Sequence, residues 1–418
     1  MIKTELLSPA GNFEKLKIAL AYGADAVYGG VSHFSLRIRS GKEFSYESFH
    51  EAINYTHSKG KKIYVTINGF PFNSQIELLK KHVHALADMN PDAFIVATPG
   101  VIKLVNKIAP HIPIHLSTQA NVLNYMDAEV FYELGVKRII VAREVSLKDL
   151  IEIKKRLPSL ELEAFVHGSM CFAYSGRCLI SSIQSGRVAN RGSCANDCRF
   201  PYTIYAQNEE SKTLFKIDED DHGTYIMNAK DLNLSAYVDK ILSSGAISAL
   251  KIEGRTKSEY YAGVTAKTYR SAIDDFYTDT FEKQKYIDEL NTIKNRGFSD
   301  GYLIKRPYEK DNTQNLKDSI SEGTHQVVAK VTCSGKDLLS KDKLESNIEY
   351  ELVLPNDNIN EVDNNIGVIK KKGEKWSLKF KELKTKNGKV YESIHSGNKN
   401  AIILPQNLPP HTFLRSKN

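Results

Sequence analysis

Residues 5–30, ELLSPAGNFEKLKIALAYGADAVYGG, contain a complete strand–helix–strand unit. Short apolar runs at Glu5–Leu7 and Asp25–Tyr28 are typical of buried strands. Between them, Asn12 is a good helix N-cap, the following apolar residues recur at helical spacing, and Gly23 ends the run. A helix that connects two short buried strands predicts that the strands are parallel.

The same alternation continues along the chain. Helices are predicted at Gln75–Met89 and at Leu147–Leu157, the latter capped by Ser146. An eighth strand is predicted at Ala249–Ile252, with a helix at Tyr260–Asp274 after it. The strands between the second and the eighth are predicted at Lys62–Ile67, Asp92–Ala97, Ile114–Thr118, Arg138–Ala142 and Glu161–Val166.

This succession predicts an α/β protein built on a (β/α)8 TIM-like barrel. A doubly wound open sheet is the alternative, but no Gly-rich dinucleotide fingerprint follows any of the strands. The seventh and eighth strands are separated by an insertion at about residues 167–248, longer than any other connection. Since loops after the strands form the C-terminal face of such a barrel, where active sites lie, we expect this insertion at the barrel mouth.

After residue 309 the pattern changes. Residues 310–324 are polar and indicate a linker, and residues 325–418 contain short alternating runs separated by turns, which indicates a small, basic, β-barrel-like domain. Twelve Lys and Arg stand against three Glu in residues 366–418, a local charge of +9 in a chain of net charge +7. This is either a solvated lysine-rich face or the footprint of a polyanion such as RNA. The strands of this domain are predicted at Gln326–Val331, Tyr350–Leu354, Ile366–Ile369, Trp376–Phe380 and Ala401–Leu404.

Composition places the chain among globular proteins, with 41% hydrophobic and 26% charged residues. The N-terminal stretch MIKTELLSPAG has no apolar run long enough for a signal peptide, and no run in the sequence approaches the ~20 apolar residues that a membrane helix needs. We therefore expect a cytoplasmic protein without membrane partners. Because disulfides are rare in that compartment, clustered cysteines there suggest metal or redox chemistry.

Four of the five cysteines fall inside the insertion, with the spacing Cys-x6-Cys-x15-Cys-x3-Cys. Four thiolates suit a soft metal or an iron–sulfur cluster, and the spacing leaves zinc and iron–sulfur equally open. Unrelated buried cysteines are a weaker alternative, and disulfides weaker still. The fifth, Cys333, is predicted to be a small core residue. The clustered four are Cys171, Cys178, Cys194 and Cys198.

Polar and charged residues stand at the ends of the predicted strands, so they should converge over the barrel mouth. Any one of them has an ordinary explanation: a charged strand end is usually solvated or salt-bridged, and a lone histidine is usually structural. Their number on one face favours an active site. Arginine and lysine there suit a substrate that carries carboxylates. The candidate catalytic residues are Arg143, Glu163, His167 and Glu253, and the candidate substrate-binding residues are Gln119, Lys251 and Arg255.

Five stretches together resemble the collagenase-like peptidase family U32. They are residues 5–30 and the segments EAFVHGSMCFAYSGRC (163–178), NRGSCANDCRFPY (190–202), LKIEGR (250–255) and RGFSDGYL (296–303). The better-understood members that the chain resembles are bacterial hydroxylation proteins. Members acting on tRNA make 5-hydroxyuridine at the wobble position and depend on prephenate; relatives act on ribosomal RNA or ubiquinone precursors. The resemblance implies a four-iron, four-sulfur cluster on the four clustered cysteines, with tRNA and prephenate as partners.

Two functions from different classes follow. The first is an RNA uridine hydroxylase that uses the cluster and a carboxylate-bearing donor. The second is a collagenase-like peptidase, as the family name implies, although the sequence has neither a His-Glu-x-x-His helix nor a Gly-x-Ser-x-Gly elbow. A cysteine protease using His167 and Cys171 conflicts with a metal-bound thiolate. A non-catalytic RNA-binding or chaperone role is weaker, and the sequence does not indicate an oligomeric state.

Overall fold

The structure is a computed structural model of the chain. No helix in the part of the chain that it describes is both long and apolar enough to cross a bilayer. The described residues are 3–31, 34–36, 44–171, 173–178, 180–185, 187, 194–199, 204–207, 209–212, 214–217, 229–305, 323–396 and 401–418.

Eight parallel strands form a closed barrel, as the sequence predicts. Strands β1 to β7 follow each other in chain order, and β11 closes the ring by pairing with both β7 and β1. The register places Leu6 beside Leu250 on one side of β11 and Ala164 beside Leu250 on the other. The strands up to residue 305 are β1 (Glu5–Pro9), β2 (Ala26–Gly29), β3 (Lys62–Ile67), β4 (Ala93–Val96), β5 (Ile114–Leu116), β6 (Arg138–Ile140), β7 (Glu161–Ser169), β8 (Ile204–Gln207), β9 (Leu214–Ile217), β10 (Asp231–Asn233), β11 (Ala249–Ile252) and β12 (Phe298–Ser299).

The helices begin where the sequence supplies capping groups. The Asn12 side chain accepts from the Lys15 amide at 2.9 Å, and Ser146 forms a capping box with Asp149. Gly23, with φ of +102°, ends the first helix in a conformation that side chains disfavour. The helices are α1 (Phe13–Ala21), α2 (Tyr46–Ser58), α3 (Ile76–Ala87), α4 (Pro99–Ile108), α5 (Tyr125–Glu133), α6 (Leu147–Arg156), α7 (Ile180–Ser185), α8 (Val238–Ser243), α9 (Glu259–Tyr277) and α10 (Lys283–Leu290).

Strand β7 is longer than predicted, because the insertion returns to pair with its end. Strand β10 runs antiparallel to the last three residues of β7, and β12 pairs with β10. Arg296 holds this corner: its Nη2 donates to Asp231 Oδ1 at 2.6 Å and to Ser169 Oγ at 3.1 Å. A Cβ on Gly168 would lie 2.4 Å from the Glu253 carbonyl oxygen, so glycine is needed where β7 passes the end of β11.

A ladder of buried charges runs through the barrel interior. Arg138 Nη1 lies 2.6 Å from Glu5 Oε1 and 3.2 Å from Glu163 Oε2. The other Glu163 oxygen accepts from Lys251 Nζ at 2.7 Å. Glu163 is completely buried, and both cations are nearly so. Buried charges of this kind are tolerated only when paired, so the ladder fixes the rotamers of all four side chains.

The C-terminal region is all-β, as predicted. Its main sheet has eight strands in the order β17-β18-β19-β16-β24-β13-β14-β23, all antiparallel. Its own core contains Leu378, Phe380 and Trp376. The predicted linker, residues 310–324, lies outside the described residues except for its last two. The strands are β13 (His325–Val331), β14 (Asp337–Ser340), β15 (Leu344–Glu345), β16 (Glu349–Val353), β17 (Val362–Asp363), β18 (Gly367–Lys372), β19 (Lys375–Phe380), β20 (Leu383–Lys384), β21 (Val390–Tyr391), β22 (Ser393–Ile394), β23 (Ile402–Ile403) and β24 (Phe413–Lys417).

The C-terminal region packs firmly against α1, α9 and α10 of the barrel. Phe413 belongs to the barrel's hydrophobic core, and Tyr22 Oη donates to the Val353 carbonyl at 2.7 Å. Arg415 is only 1% exposed and its guanidinium binds both oxygens of Glu289, at 2.7 and 2.8 Å. Apolar burial and a buried bidentate ion pair therefore join the two regions.

Candidate active site at the barrel mouth

A cavity opens at the C-terminal ends of the barrel strands. All four clustered cysteines line it, on the side covered by the insertion. The opposite walls carry polar side chains from the strand ends and the rings of Tyr28 and Phe165. The predicted site residues that line the cavity are Gln119, Arg143, Lys251, Glu253 and Arg255.

The four thiols are partly buried, and none of the four is in a disulfide. Burial raises the pKa of the Cys178 thiol; the Ile180 amide, which donates to its Sγ at 3.4 Å, opposes the shift, while Cys171 and Cys194 add to it. The Cys194 sulfur accepts from Ser181 Oγ at 4.0 Å. Four thiols that line one cavity are a donor set for a soft metal centre.

The segment that carries the first two cysteines is tied to the end of β6. The Ser175 amide donates to Glu144 Oε1 at 2.8 Å, and Ser175 Oγ accepts from the Arg143 amide at 3.1 Å. Ser175 has φ of +40°, an unfavourable value for a non-glycine residue. Arg177 Nε donates to the Gln119 carbonyl at 3.1 Å. Sequence reasoning did not assign a site role to Glu144 or Ser175; the only signal was the position of Glu144 beside Arg143.

Two of the cavity cations stack on aromatic rings. The Arg143 guanidinium lies 4.2 Å from the centroid of Phe165, and its Nη2 is 3.5 Å from Glu253 Oε2. Lys251 Nζ lies 4.1 Å from the centroid of Tyr28. Burial lowers the pKa of Lys251, and the ion pair with Glu163 at the top of the ladder opposes that shift.

The third cation, Arg255, is held by neutral oxygens. Its Nη1 donates to Ser35 Oγ at 2.9 Å and to Thr66 Oγ1 at 3.4 Å, and its Nη2 donates to the Leu36 carbonyl. These contacts fix the position of the guanidinium in the cavity wall. Beside it in the cavity wall, Gln119 is 4% exposed, and its Oε1 has no hydrogen-bond partner among the described residues. A buried acceptor of this kind is costly unless a ligand supplies a donor.

Two predicted catalytic residues lie behind the cavity wall and are not among its lining residues. Glu163 is the centre of the charge ladder. His167 is surrounded by Tyr261, Tyr269 and Phe298, with ring centroids 5.6 to 5.7 Å away. Burial lowers the pKa of His167 to about 3, so the ring is neutral at physiological pH. Catalytic roles for Glu163 and His167 stay predictions. Their positions suit residues that hold the cavity-lining side chains in place.

The basic character of the C-terminal region is weaker than residues 366–418 suggest. Residues 325–418 contain 16 Lys and Arg and 11 Asp and Glu, a net charge of +5. The strand register places Lys370, Lys372, Lys375 and Lys379 on one exposed face of β18 and β19. Trp376 points to the opposite, buried face, so it does not lie on this surface.

The prediction that Cys333 is a core residue is wrong, because its side chain is exposed. It lies in the turn between β13 and β14, where the Gly335 amide donates to the Thr332 carbonyl at 3.1 Å. A cysteine outside the cluster behaves as a small hydrophobic residue, which suggested a core position, but Cys333 lies in a turn after β13 ends at Val331.

Comparison with known proteins identifies the family. The model of peptidase family U32 matches residues 11–313, which is most of the barrel and its insertion. The chain belongs to peptidase family U32. It is 58% identical to the tRNA hydroxylation protein P of Helicobacter pylori, over 100% of this chain and 99% of that protein. The Escherichia coli protein of the same name is 37% identical, over 86% of this chain and 88% of its own length. A Porphyromonas gingivalis protein named collagenase is 30% identical, over 72% of this chain and 73% of that protein.

Proposed function

We propose that this protein hydroxylates tRNA, forming 5-hydroxyuridine at the wobble position in the cytoplasm. In this proposal a four-iron, four-sulfur cluster is bound at the barrel mouth and prephenate is the hydroxyl donor. The observation that carries it is the convergence of the four clustered cysteines with three cationic side chains on one cavity. The full-length similarity to proteins named for tRNA hydroxylation supports the choice of substrate.

The donor set fits an iron–sulfur cluster. Cys171, Cys178, Cys194 and Cys198 would hold it, and the Glu144–Ser175 contacts fix the segment that carries the first two. Such a cluster supplies electron transfer or an iron that can bind a substrate oxygen. The chain's own contribution is to orient the thiols against the cavity and to cover them with the insertion.

The cavity also fits a small donor that carries carboxylates. Arg143 contacts Glu253 at 3.5 Å, a looser pair than Lys251–Glu163 at 2.7 Å, so Arg143 can turn to a substrate carboxylate at lower cost. Arg255 lines the same cavity, and its Nη1 donates to Ser35 Oγ. The unpartnered Gln119 Oε1 would accept from a hydroxyl group of the donor. Prephenate has two carboxylates and one hydroxyl, which matches these groups.

The test is nucleoside mass spectrometry of tRNA from a strain that lacks the gene. We expect 5-hydroxyuridine and nucleosides made from it to disappear, to return with the wild-type gene or Cys333→Ala, and to stay absent with Cys194→Ala. Protein purified without oxygen should contain about four irons per chain. Normal hydroxyuridine in the deletion strain would contradict the proposed substrate, and zinc in place of iron would contradict the cluster.

A peptidase is the second candidate, since one relative is named collagenase. The purified protein would then cleave gelatin, and activity would depend on a free nucleophile or a metal-bound water. One preparation should be tested both for tRNA hydroxylation and for proteolysis. Proteolysis that survives removal of contaminating proteases would favour the peptidase, whereas we expect none.

A further inference from the structure

A second group of potential metal ligands lies far from the cluster cysteines in sequence, where the C-terminal region meets the barrel. It consists of one carboxylate, one thiol and one imidazole, from Glu14, Cys333 and His411. One ligand atom from each residue lies within 4.8 Å of the others. A site with one sulfur, one nitrogen and one oxygen ligand suits Zn²⁺ better than a hard cation.

His411 supplies the observation that points to a ligand. The residue is 8% exposed, and its Nδ1 has no hydrogen-bond partner among the described residues. That nitrogen lies 3.3 Å from Glu14 Oε1, close but without hydrogen-bond geometry. In the neutral ring, a buried nitrogen without a hydrogen-bond partner loses its hydration without compensation. A metal ion between the two side chains would satisfy both.

All three side chains are held in place by the fold. Glu14 is in the first turn of α1, and Lys330 Nζ bridges it to Glu259 at 3.0 and 2.8 Å. His411 has φ of +68°, and its carbonyl accepts from Tyr22 Oη at 3.0 Å. Cys333 is fixed by the tight turn after β13. A non-glycine residue in the left-handed region is kept there only by its surroundings, so the backbone that carries the imidazole is held in place.

Lys330 is the feature that opposes a cation at this position, because it already neutralises part of the charge on Glu14. The thiol loses its proton when it binds a metal, and that new negative charge offsets the added positive charge. The exposed side of Cys333 leaves room for a fourth ligand, as in zinc sites with three protein ligands and one water.

We propose that Glu14, Cys333 and His411 bind a single Zn²⁺ ion at the seam between the barrel and the C-terminal region. The ion would join α1 to the β13–β14 turn and to the turn before β24, and so strengthen the contact between the two regions. This site is independent of the cluster and of the proposed tRNA chemistry.

The test compares zinc stoichiometry in full-length protein purified without oxygen, with iron measured in each sample. Zinc is titrated in competition with a chromogenic chelator. Wild type should bind one more equivalent of zinc than Cys333→Ser. In His411→Asn and in Glu14→Gln, the affinity for that additional zinc ion should be at least tenfold lower. Asparagine tolerates a positive φ, so His411→Asn should fold. Because the comparison is with wild type, zinc bound by the cluster cysteines cancels.

Cobalt gives a second readout. Co²⁺ added to wild type should produce a thiolate charge-transfer band that Cys333→Ser reduces and Cys194→Ala leaves in place. Zinc should also raise the unfolding temperature of wild type more than that of Cys333→Ser. Equal zinc stoichiometry in wild type and Cys333→Ser would overturn the proposal. The proposal would also be overturned if His411→Asn and Glu14→Gln bound the additional zinc ion as tightly as wild type, because the Cys333 thiol would then bind it without the other two residues.

Discussion

The barrel interior and the exposed lysine face of the C-terminal region both contain ion pairs, but the pairs are buried in the first and exposed in the second. In the barrel, Glu163 is fully buried between Arg138 and Lys251. On the lysine face, Lys372 pairs with Glu349 at 2.7 Å, but the two side chains are 62% and 46% exposed. Water and salt therefore weaken the exposed Lys372–Glu349 pair much more than the buried pairs of Glu163.

Buried and exposed ion pairs also differ in how much they contribute to stability. An exposed pair contributes about 0–1 kcal/mol, whereas removing one partner of a buried pair costs about 3–5 kcal/mol. The buried ladder therefore fixes the barrel interior beneath the mouth, and of its four residues only Lys251 lines the cavity. The lysine face carries exposed charge that an incoming polyanion can contact.

The largest effect is expected from breaking the ladder. Arg138→Met leaves Glu5 and Glu163 without their shared cation, so the free energy of unfolding should fall by about 3–5 kcal/mol. Lys372→Ala, the exposed control, should change it by no more than about 0.5 kcal/mol. Denaturant titration of both variants measures the difference. Equal losses would show that burial does not distinguish the two regions.

The next effect concerns activity. Arg143→Ala should lower hydroxylation of tRNA at least about a hundredfold, or about 2.7 kcal/mol in the barrier, because a bound carboxylate loses its cation. Its iron content should match that of wild type, since the cysteines are untouched. Arg143→Lys keeps the charge but loses the bidentate geometry, so it should be intermediate. Full activity in Arg143→Ala would remove this residue from the donor site.

A smaller effect should appear as acid sensitivity. Burial lowers the pKa of His167 to about 3. Below about pH 6.5 the imidazole is therefore protonated in the unfolded chain but stays neutral in the folded chain. Stability is therefore complete above pH 6.5 and falls as the pH drops toward 3, by up to about 1.4 kcal/mol per pH unit.

Denaturant titrations at pH 7, 6 and 5 test this. His167→Asn should show a shallower decline than wild type, while the exposed His84→Asn should follow the wild-type curve. Burial also lowers the pKa of His115, so part of the dependence of the unfolding free energy on pH should remain in both variants. Parallel curves for His167→Asn and wild type would mean that His167 is protonated in the folded state.

The smallest effect is expected on the lysine face. Lys370→Ala/Lys379→Ala should weaken tRNA binding severalfold and reduce its dependence on salt, because fewer counterions are released. Lys103→Ala/Lys107→Ala removes the same charge from α4 on the barrel and should change binding less. Equal effects of both pairs would show that only net charge matters. Point substitutions are preferable to deletion here, because Phe413 and Val353 belong to the barrel's core.

The sequence was sufficient for the barrel because each βα unit carries its own local signals, such as the Asn12 and Ser146 caps. It also placed five of the seven candidate polar residues around one cavity. It could not place Glu163 and His167 behind the wall, since periodicity does not tell which side of a closed barrel a strand-end side chain meets. The Arg138 ladder and the Glu144–Ser175 contact depend on residues distant in sequence, and so does the exposure of Cys333.

Closure of the barrel by β11 also has a consequence for the order of folding. The pairing of Leu6 with Leu250 is a contact between residues very far apart in the chain, and such contacts form slowly. All four clustered cysteines precede β11, so a growing chain exposes their thiols before the cavity that will enclose them exists. During that interval they are open thiols in solvent, subject to oxidation. During maturation, closure of the barrel therefore competes with oxidation of the cysteines. Synthesis at low oxygen should increase the yield of active protein.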